Sequence, residues 1–452
     1  MTTVNILDFG AVSDGGTMTT DAIQRAIDAC AAEGGGEVIV PAGTYLTGDI
    51  LLRDNITLRM QSGATLLGSR DPMDYFHYRT LVAMPPEDIS DEPWSRAAIG
   101  EKGKMQKKPR IQMPGCRWNN GLIRAYQAKN IAVIGEKDSV IDGNNTYDAI
   151  GEENYRGPHG MSLFGCKGIR LEGYTIQNTG NWAQNVMFSE NIVMRGVTSL
   201  AGHDGIHVSA SKNIVIEDCE FYTGDDAVAG FANTNVLVKN CVLNSACSAF
   251  RFGGTNVYAT GCHLYGPGRY CFRGSLSPEE KAASVPSATS GHRTNMLSAF
   301  TYYADFSLPI ENQPGSIVLE NCKIEMADRF LHYNYSGNEI WQKNRPLESI
   351  TFKNIDAKAV SMPITAYGSE EVPLTLKIED TSITVREGAD LRALVHAAGF
   401  EKISLRNVKV ANFKGDCLVR TWSDGEVVAQ NVDAGNAEVK KPAEEVFTAR
   451  PI

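Results

Sequence analysis

Asn191-Ile192-Val193-Met194 is followed by Asn213-Ile214-Val215-Ile216, Asn235-Val236-Leu237-Val238 and Asn256-Val257-Tyr258-Ala259, and is preceded by Gly168-Ile169-Arg170-Leu171. Each segment opens with a small polar residue and continues with apolar ones, and successive starts lie 23, 22, 22 and 21 residues apart. Weaker copies stand at Asn55-Ile56-Thr57-Leu58, Asn130-Ile131-Ala132-Val133, Ser316-Ile317-Val318-Leu319, Ser349-Ile350-Thr351-Phe352 and Lys402-Ile403-Ser404-Leu405. A unit of this length holds two or three short strands separated by Gly, Asn or Asp and leaves no room for a helix. Stacking such units buries a face that none could bury alone. The spacing therefore predicts an all-β chain, a right-handed parallel β-helix running through residues 1–452 as one domain.

The cysteines support the register. Cys219, Cys241, Cys262 and Cys322 each fall six residues after the start of their repeat, as expected of an inward-facing column of small apolar groups. No pair of cysteines has zinc spacing.

Composition narrows the function classes. A chain of 452 residues with 42% hydrophobic content can bury a large core. Its net charge of −10, from 53 acidic and 43 basic residues, argues against a general nucleic-acid or anionic-membrane binder. Met1 runs directly into Thr-Thr-Val-Asn-Ile-Leu-Asp-Phe-Gly, with neither a charged n-region nor an apolar h-region. Together with ten cysteines this leads us to expect a reduced, cytoplasmic protein with no membrane partner.

Ahead of the first repeat, Ala22, Ile23, Ala26, Ile27 and Cys30 share one helical face, N-cap candidates precede them, and Gly34-Gly35-Gly36 ends the pattern. A helix here would cap the open end of the solenoid, shielding strand edges and core from water. Two stretches break the period, 71–129 and 275–315, and are expected to be loop excursions that shape a groove. The first holds Asp74-Tyr75-Phe76-His77-Tyr78 and Trp94; the second holds His292, Tyr302, Tyr303 and Asp305.

Three aspartates fall at one point of two neighbouring repeats. Asp204 lies 13 residues after Asn191, and Asp226 lies 13 after Asn213, so strand spacing places them about 4.8 Å apart on adjacent rungs. Asp225 is offset by one residue. An aspartate in a β-helix commonly caps a turn, but a Gly-Asp-Asp in register with an aspartate one coil earlier is an arrangement for acid–base work.

Asp8-Phe9-Gly10-Ala11, the helix at 21–30, Val40-Pro41-Ala42-Gly43-Thr44-Tyr45 and Ile141-Asp142-Gly143 resemble the opening half of glycoside hydrolase family 28, the polygalacturonases, which share the pectin-lyase-like solenoid. Gly202-His203-Asp204 and Gly224-Asp225-Asp226 stand where that family has its Asn-Thr-Asp and Gly-Asp-Asp motifs. The resemblance covers roughly residues 4 to 275. It departs at Ala246-Cys247-Ser248-Ala249-Phe250, where Ser248 replaces the family's supporting histidine. It departs again at Gly268-Arg269-Tyr270-Cys271-Phe272-Arg273, which lacks the family's Arg-x-Lys motif.

Inverting glycosidases separate acid and base by about 6.5–9.5 Å, and retaining ones hold their pair about 5–5.5 Å apart. Direct rung neighbours are too close to be an inverting acid and base. The consistent assignment, also implied by the resemblance, makes Asp225 the general acid and lets Asp204 and Asp226 hold and deprotonate the attacking water. Crowded carboxylates raise at least one pKa, which keeps an acid protonated. His203 and His207 flank the first aspartate, and Asn181 and Trp182 sit one coil below it; both pairs are candidate sugar contacts. Arg251, Arg269 and Arg273 would form a cationic shelf, and Tyr302 would stand in the groove wall. No metal or other cofactor is expected, since the histidines and aspartates lack ligand spacing.

The expectation is a glycoside hydrolase acting on an oligo- or polysaccharide. The alternatives are a polysaccharide lyase or glycan-rearranging transferase on the same fold, and a non-catalytic glycan-binding β-helix.

Overall fold

Parallel strands stacked coil upon coil make up the described chain, and the repeat read in the sequence is one coil of the stack. The computed structural model describes residues 2–75, 120–153, 155–283, 291–304, 314–337, 340–342 and 345–447. The chain divides into two units, Met1–Asp225 with Tyr270–His292, and Asp226–Arg269 with Arg293–Ile452. Each is a stretch of parallel β-helix.

In the first unit every full coil gives one strand to each of three sheets. The first sheet takes Lys129–Gly135, Lys167–Glu172, Glu190–Arg195 and Lys212–Glu217; the second takes Val140–Asp142, Thr175–Gln177, Thr198–Ala201 and Glu220–Thr223. The third takes Ile50–Leu51, Gly121–Tyr126, His159–Phe164, Gln184–Met187 and Ile206–Ser209. Ile131, Ile169, Ile192 and Ile214 follow one another in register and are all buried. Each such side chain contributes about 1.5–3 kcal/mol by leaving water.

The residue that opens each repeat is polar for a backbone reason. Asn191 and Asn213 have φ of 59° and 56°, a left-handed conformation that asparagine tolerates. The Asn213 amide then donates to Asn191 Oδ1 at 2.9 Å, so the turn is held from coil to coil.

The helix Thr20–Ala32 buries the expected face, Ala22, Ile23, Ala26, Ile27 and Cys30, against the first coil strands Thr2–Asn5, Gly36–Val40 and Ile50–Leu51. Its N-terminal threonine does not cap it: Thr19 Oγ1 donates to the Leu46 carbonyl instead, tying the helix to the coil.

The second unit repeats the plan with longer strands. Val257, Ile317, Ile350, Leu376 and Ile403 form its core row in register. Its third sheet includes Met296–Tyr302, Ala327–Asn334, Ile364–Tyr367, Ala393–Ala398 and Cys417–Thr421. The cysteine column is here too: Cys241, Cys262 and Cys322 precede residues paired in register and are buried.

Of the stretch 71–129, residues 76–119 lie outside the described residues, and with them Phe76, His77, Tyr78 and Trp94. Gly121–Tyr126 already belongs to the stack. Within 275–315, residues 284–290 and 305–313, including Asp305, lie outside the description, while Met296–Tyr302 is a strand paired with Ser248–Thr260. The interruption is shorter than its lost periodicity suggests. Among the described residues no helix is long and apolar enough to cross a membrane.

Candidate active site

In the first unit, Asp204 lies in the turn between Thr198–Ala201 and Ile206–Ser209, and Asp225 follows Glu220–Thr223 at the equivalent point of the next coil. A carboxylate oxygen of Asp204 and one of Asp225 lie within 4.8 Å of each other. The Gly-Asp-Asp motif needs its glycine for space. A Cβ on Gly224 would stand 1.9 Å from the Cys271 carbonyl oxygen. Thr223 Oγ1 donates to the Asp225 carbonyl at 2.7 Å and fixes the turn.

The two carboxylates have different surroundings. Asp204 is buried, and its Oδ2 is 3.0 Å from His207 Nδ1, which donates to it when Nδ1 carries the proton. Trp182 stacks flat on the His207 ring, with centroids 3.8 Å apart and planes within 6°. The imidazole is thus held from both its edge and its face. Asp225 is more open, with 15% of its side chain exposed, and its Oδ2 is 4.0 Å from Arg156 Nη2. The imidazole thus contacts the Asp204 carboxylate directly, and the Arg156 guanidinium forms a looser ion pair with Asp225.

His203 is fully buried against Tyr155. Burial, and then the nearby Arg156 and Arg273 charges, hold its pKa well below the usual histidine range, so it is neutral in the folded chain. Asn181 is also buried, accepting from Arg156 Nη1 at 3.1 Å. Arg273 is 2% exposed; its Nη1 donates to the Thr179 carbonyl at 3.0 Å, and burial brings its pKa down to about 10. Of the first-unit candidates, Asp204, Asp225, His207 and Trp182 thus cluster directly, while His203, Asn181 and Arg273 sit behind them as buried supports.

In the second unit, Asp226 Oδ1 accepts the Ser248 backbone N–H at 3.0 Å, and its Oδ2 is 3.8 Å from Arg251 Nη1. Ser248 thus holds an aspartate through its main chain. Its hydroxyl is 3.3 Å from Thr301 Oγ1. Arg251 is one-third exposed, lies over the Tyr303 ring at 4.4 Å and is 5.7 Å from that of Trp341. The rings orient the cation without neutralising it. Arg269 is exposed and its backbone N–H donates to Asn244 Oδ1 at 2.6 Å. Tyr302 is fully buried, and its hydroxyl donates to the Arg345 carbonyl at 2.9 Å.

Several neighbours were not read from the sequence. Arg156 bridges Asn181 and Asp225, and His159 lies 5.3 Å from Trp182, ring to ring. Both belong to Tyr155-Arg156-Gly157-Pro158-His159, one coil before Asn181-Trp182, and that alignment was the available signal. Trp341 carried no periodic signal at all.

A family described as "Rhamnogalacturonase A/epimerase, pectate lyase-like" matches residues 3–75, and one described as "Right handed beta helix region" matches residues 115–269. An exo-poly-alpha-D-galacturonosidase of Dickeya chrysanthemi is 30% identical over 221 residues, which is 43% of this chain and 35% of that protein. A probable polygalacturonase of Vitis vinifera is 28% identical over 204 residues, 44% of this chain and 36% of that protein. The matched region thus spans little more than a third of those relatives. Plasmin and fibronectin-binding protein A of Streptococcus pneumoniae is 31% identical over 173 residues, 32% of this chain and 24% of that protein. In fold, a hyperthermoactive exopolygalacturonase from Thermotoga maritima superposes with a TM-score of 0.61 at 20% identity, covering 91% of this chain and 92% of that one. This chain is a right-handed parallel β-helix of the pectin-lyase type, similar over less than half of its length to an exo-polygalacturonosidase and a probable polygalacturonase.

Proposed function

We propose that the chain is a glycoside hydrolase acting on an oligo- or polysaccharide that contains uronate. The observation that carries this reading is the Asp204–Asp225 pair, two carboxylates within 4.8 Å in unlike environments. Asp225, the more open of the two, is the general acid that protonates the leaving oxygen. Asp204, oriented by His207, deprotonates the attacking water together with Asp226, the residue bonded to Asp225. In the second unit Arg251, oriented by Tyr303 and Trp341, is a cation suited to a uronate carboxylate.

The spacing of the nearest oxygens is shorter than either glycosidase class requires between its carboxyl groups. Inversion is therefore supported by the resemblance to polygalacturonases and by the shared role of two bases. The test is incubation with uronate-containing and neutral oligosaccharides, following the anomer first released by NMR. Release of the inverted anomer, lost in Asp225→Asn, is expected. Release of the retained anomer would overturn the mechanism, and new ultraviolet absorbance from an unsaturated end would replace hydrolysis with elimination. A second reading, a non-catalytic binding protein, draws on the match to the plasmin and fibronectin-binding protein. Binding without turnover on the whole panel would favour it.

A further inference from the structure

The second unit stacks three thiols in its core. Cys241 and Cys262 immediately precede the paired residues Val242 and His263, and Cys262 and Cys322 precede the pair His263 and Lys323, so the three stand one per coil in register. All are at most 2% exposed. The Cys241, Cys262 and Cys322 thiols donate to the carbonyls of Lys239, Thr260 and Glu320 at 3.3, 3.4 and 3.3 Å, so each sulfur is held at the same place on its rung. Sulfurs so placed on successive rungs are about 4.8 Å apart. The column also has an approach. A groove of about 450 Å³ is lined by Cys322 together with Asn321, Asn354, Asp356 and Asp380.

Protons are held unequally along the column. Contact with the sulfur of Cys241, and then with that of Cys322, lowers the pKa of Cys262, while contact with Cys262, and then burial, raises that of Cys322. One sulfur inclined to be a thiolate thus sits between two thiols.

Distance decides what could join them. A disulfide brings its sulfurs to about 2.05 Å and its Cβ atoms to about 3.8 Å, closer than in-register rungs hold them. Zinc asks for four ligands in a tetrahedron, and a straight column offers two to any point along it. An ion that takes two thiolates in a line asks for less. Two metal–sulfur bonds of about 2.3 Å each span about 4.6 Å, close to the height of one rung. Thiolate ligands favour copper(I) among such ions.

We propose that the Cys241–Cys262–Cys322 column holds a soft, two-coordinate metal ion of the copper(I) class between adjacent sulfurs, with Cys262 common to either placement and Cys322 the point of entry. Metal–sulfur bonds replace S–H bonds, the displaced protons pass to solvent, and nothing is oxidised. The carbonyls that lose a thiol donor keep a backbone one: Asn240 N–H donates to the Thr260 oxygen at 3.0 Å, and Gly261 N–H to that of Glu320 at 3.2 Å. The site shares no residue with the candidate active site and does not depend on the carbohydrate reading.

The test uses the full chain, reduced and without oxygen, titrated with copper(I) against a chromophoric copper(I) chelator. A single copper(I) is expected to pass to the protein with new ultraviolet thiolate-to-copper absorption, and X-ray absorption should show two sulfur ligands. The melting temperature should rise with copper(I) and stay unchanged with zinc. Cys262→Val should abolish the transfer, with Cys262→Ala standing in if that variant does not fold. Cys417→Ala, from a buried thiol of the same unit outside the column, should leave the transfer intact. Transfer that persists without the Cys262 sulfur would place the ion elsewhere and overturn the proposal, as would three or more ligands, or no transfer at all. If peroxide instead joins two column cysteines, seen as a disulfide-linked peptide pair, the distance argument fails and the column is a redox crosslink.

Discussion

The outward faces of the third sheet differ between the two units. In the first unit the row Arg124, Ser162, Asn185 and His207 is polar and buried, and Arg124 pairs with Asp49 at 2.6 Å. In the second unit the corresponding row, Arg251, Thr301, His332, Thr365, His396 and Arg420, runs beside aromatic side chains that the chain covers itself. Phe447 packs edge-on against Tyr367 at 5.0 Å and Trp422 at 5.7 Å, and Trp422 Nε1 donates to the Glu445 carbonyl. The backbone is the same in both. One face is closed by aromatic side chains that include Phe447 of the C-terminal segment, and the other is a buried polar row.

The comparison breaks most easily at the acids. Asp225→Asn and Asp204→Asn should each lower turnover by about 10²–10⁴-fold with little change in melting temperature. Asp328→Asn in the second unit, which loses the Arg386 ion pair at 3.1 Å, should lower the melting temperature and spare turnover. Steady-state rates beside thermal melts decide this, and equal loss of rate at all three positions would end the distinction.

Tryptophan is the next contrast. Trp182→Ala removes the ring that holds His207 and should cost about 3 kcal/mol of stability along with most activity. Trp422→Ala, from a half-buried ring, should cost less and leave activity intact. Urea titrations of the two variants, with rates, separate them.

A pH dependence sharpens the contrast further. Burial, with Arg329 nearby, drops the His332 pKa to about 3, against about 6.5 in an unfolded chain. Its folded value is depressed, so its contribution is intact above pH 6.5 and is lost as pH falls toward 3, where the unfolded chain takes up a proton the folded one refuses. His332→Gln should flatten the decline in urea midpoint between pH 6.5 and 4.5.

The smallest effect should be the same in both units. Asn213→Ala and Asn354→Ala each place alanine at a φ near 55° and should cost about 1–2 kcal/mol, while glycine at either position should cost less. Unequal costs would show that the asparagine ladders are not interchangeable.

Much of this was legible in the sequence because a solenoid writes its geometry as a period. The coil register, the buried isoleucines, the cysteine column and the capping helix follow from spacing alone, and the same spacing put Asp204 and Asp226 at one point of neighbouring repeats with Asp225 one residue aside. Depth was harder to read. Arg273 and Tyr302, expected to face substrate, are buried with backbone carbonyl partners, because period gives a residue's place along the coil and not what covers it. Arg156 and His159 were hidden by an irregular coil, and Met296–Tyr302 by the lost period on either side of it.

The nine described cysteines are all buried, and in the second unit Cys241, Cys262 and Cys322 lie one to a coil. A thiol so placed is closed to alkylating reagents until its own coil opens. Where each coil touches only its neighbours, opening proceeds from exposed ends and weak junctions inward. The order in which Cys417, Cys322, Cys262 and Cys241 become labelled would then record, coil by coil, the direction in which that unit unzips.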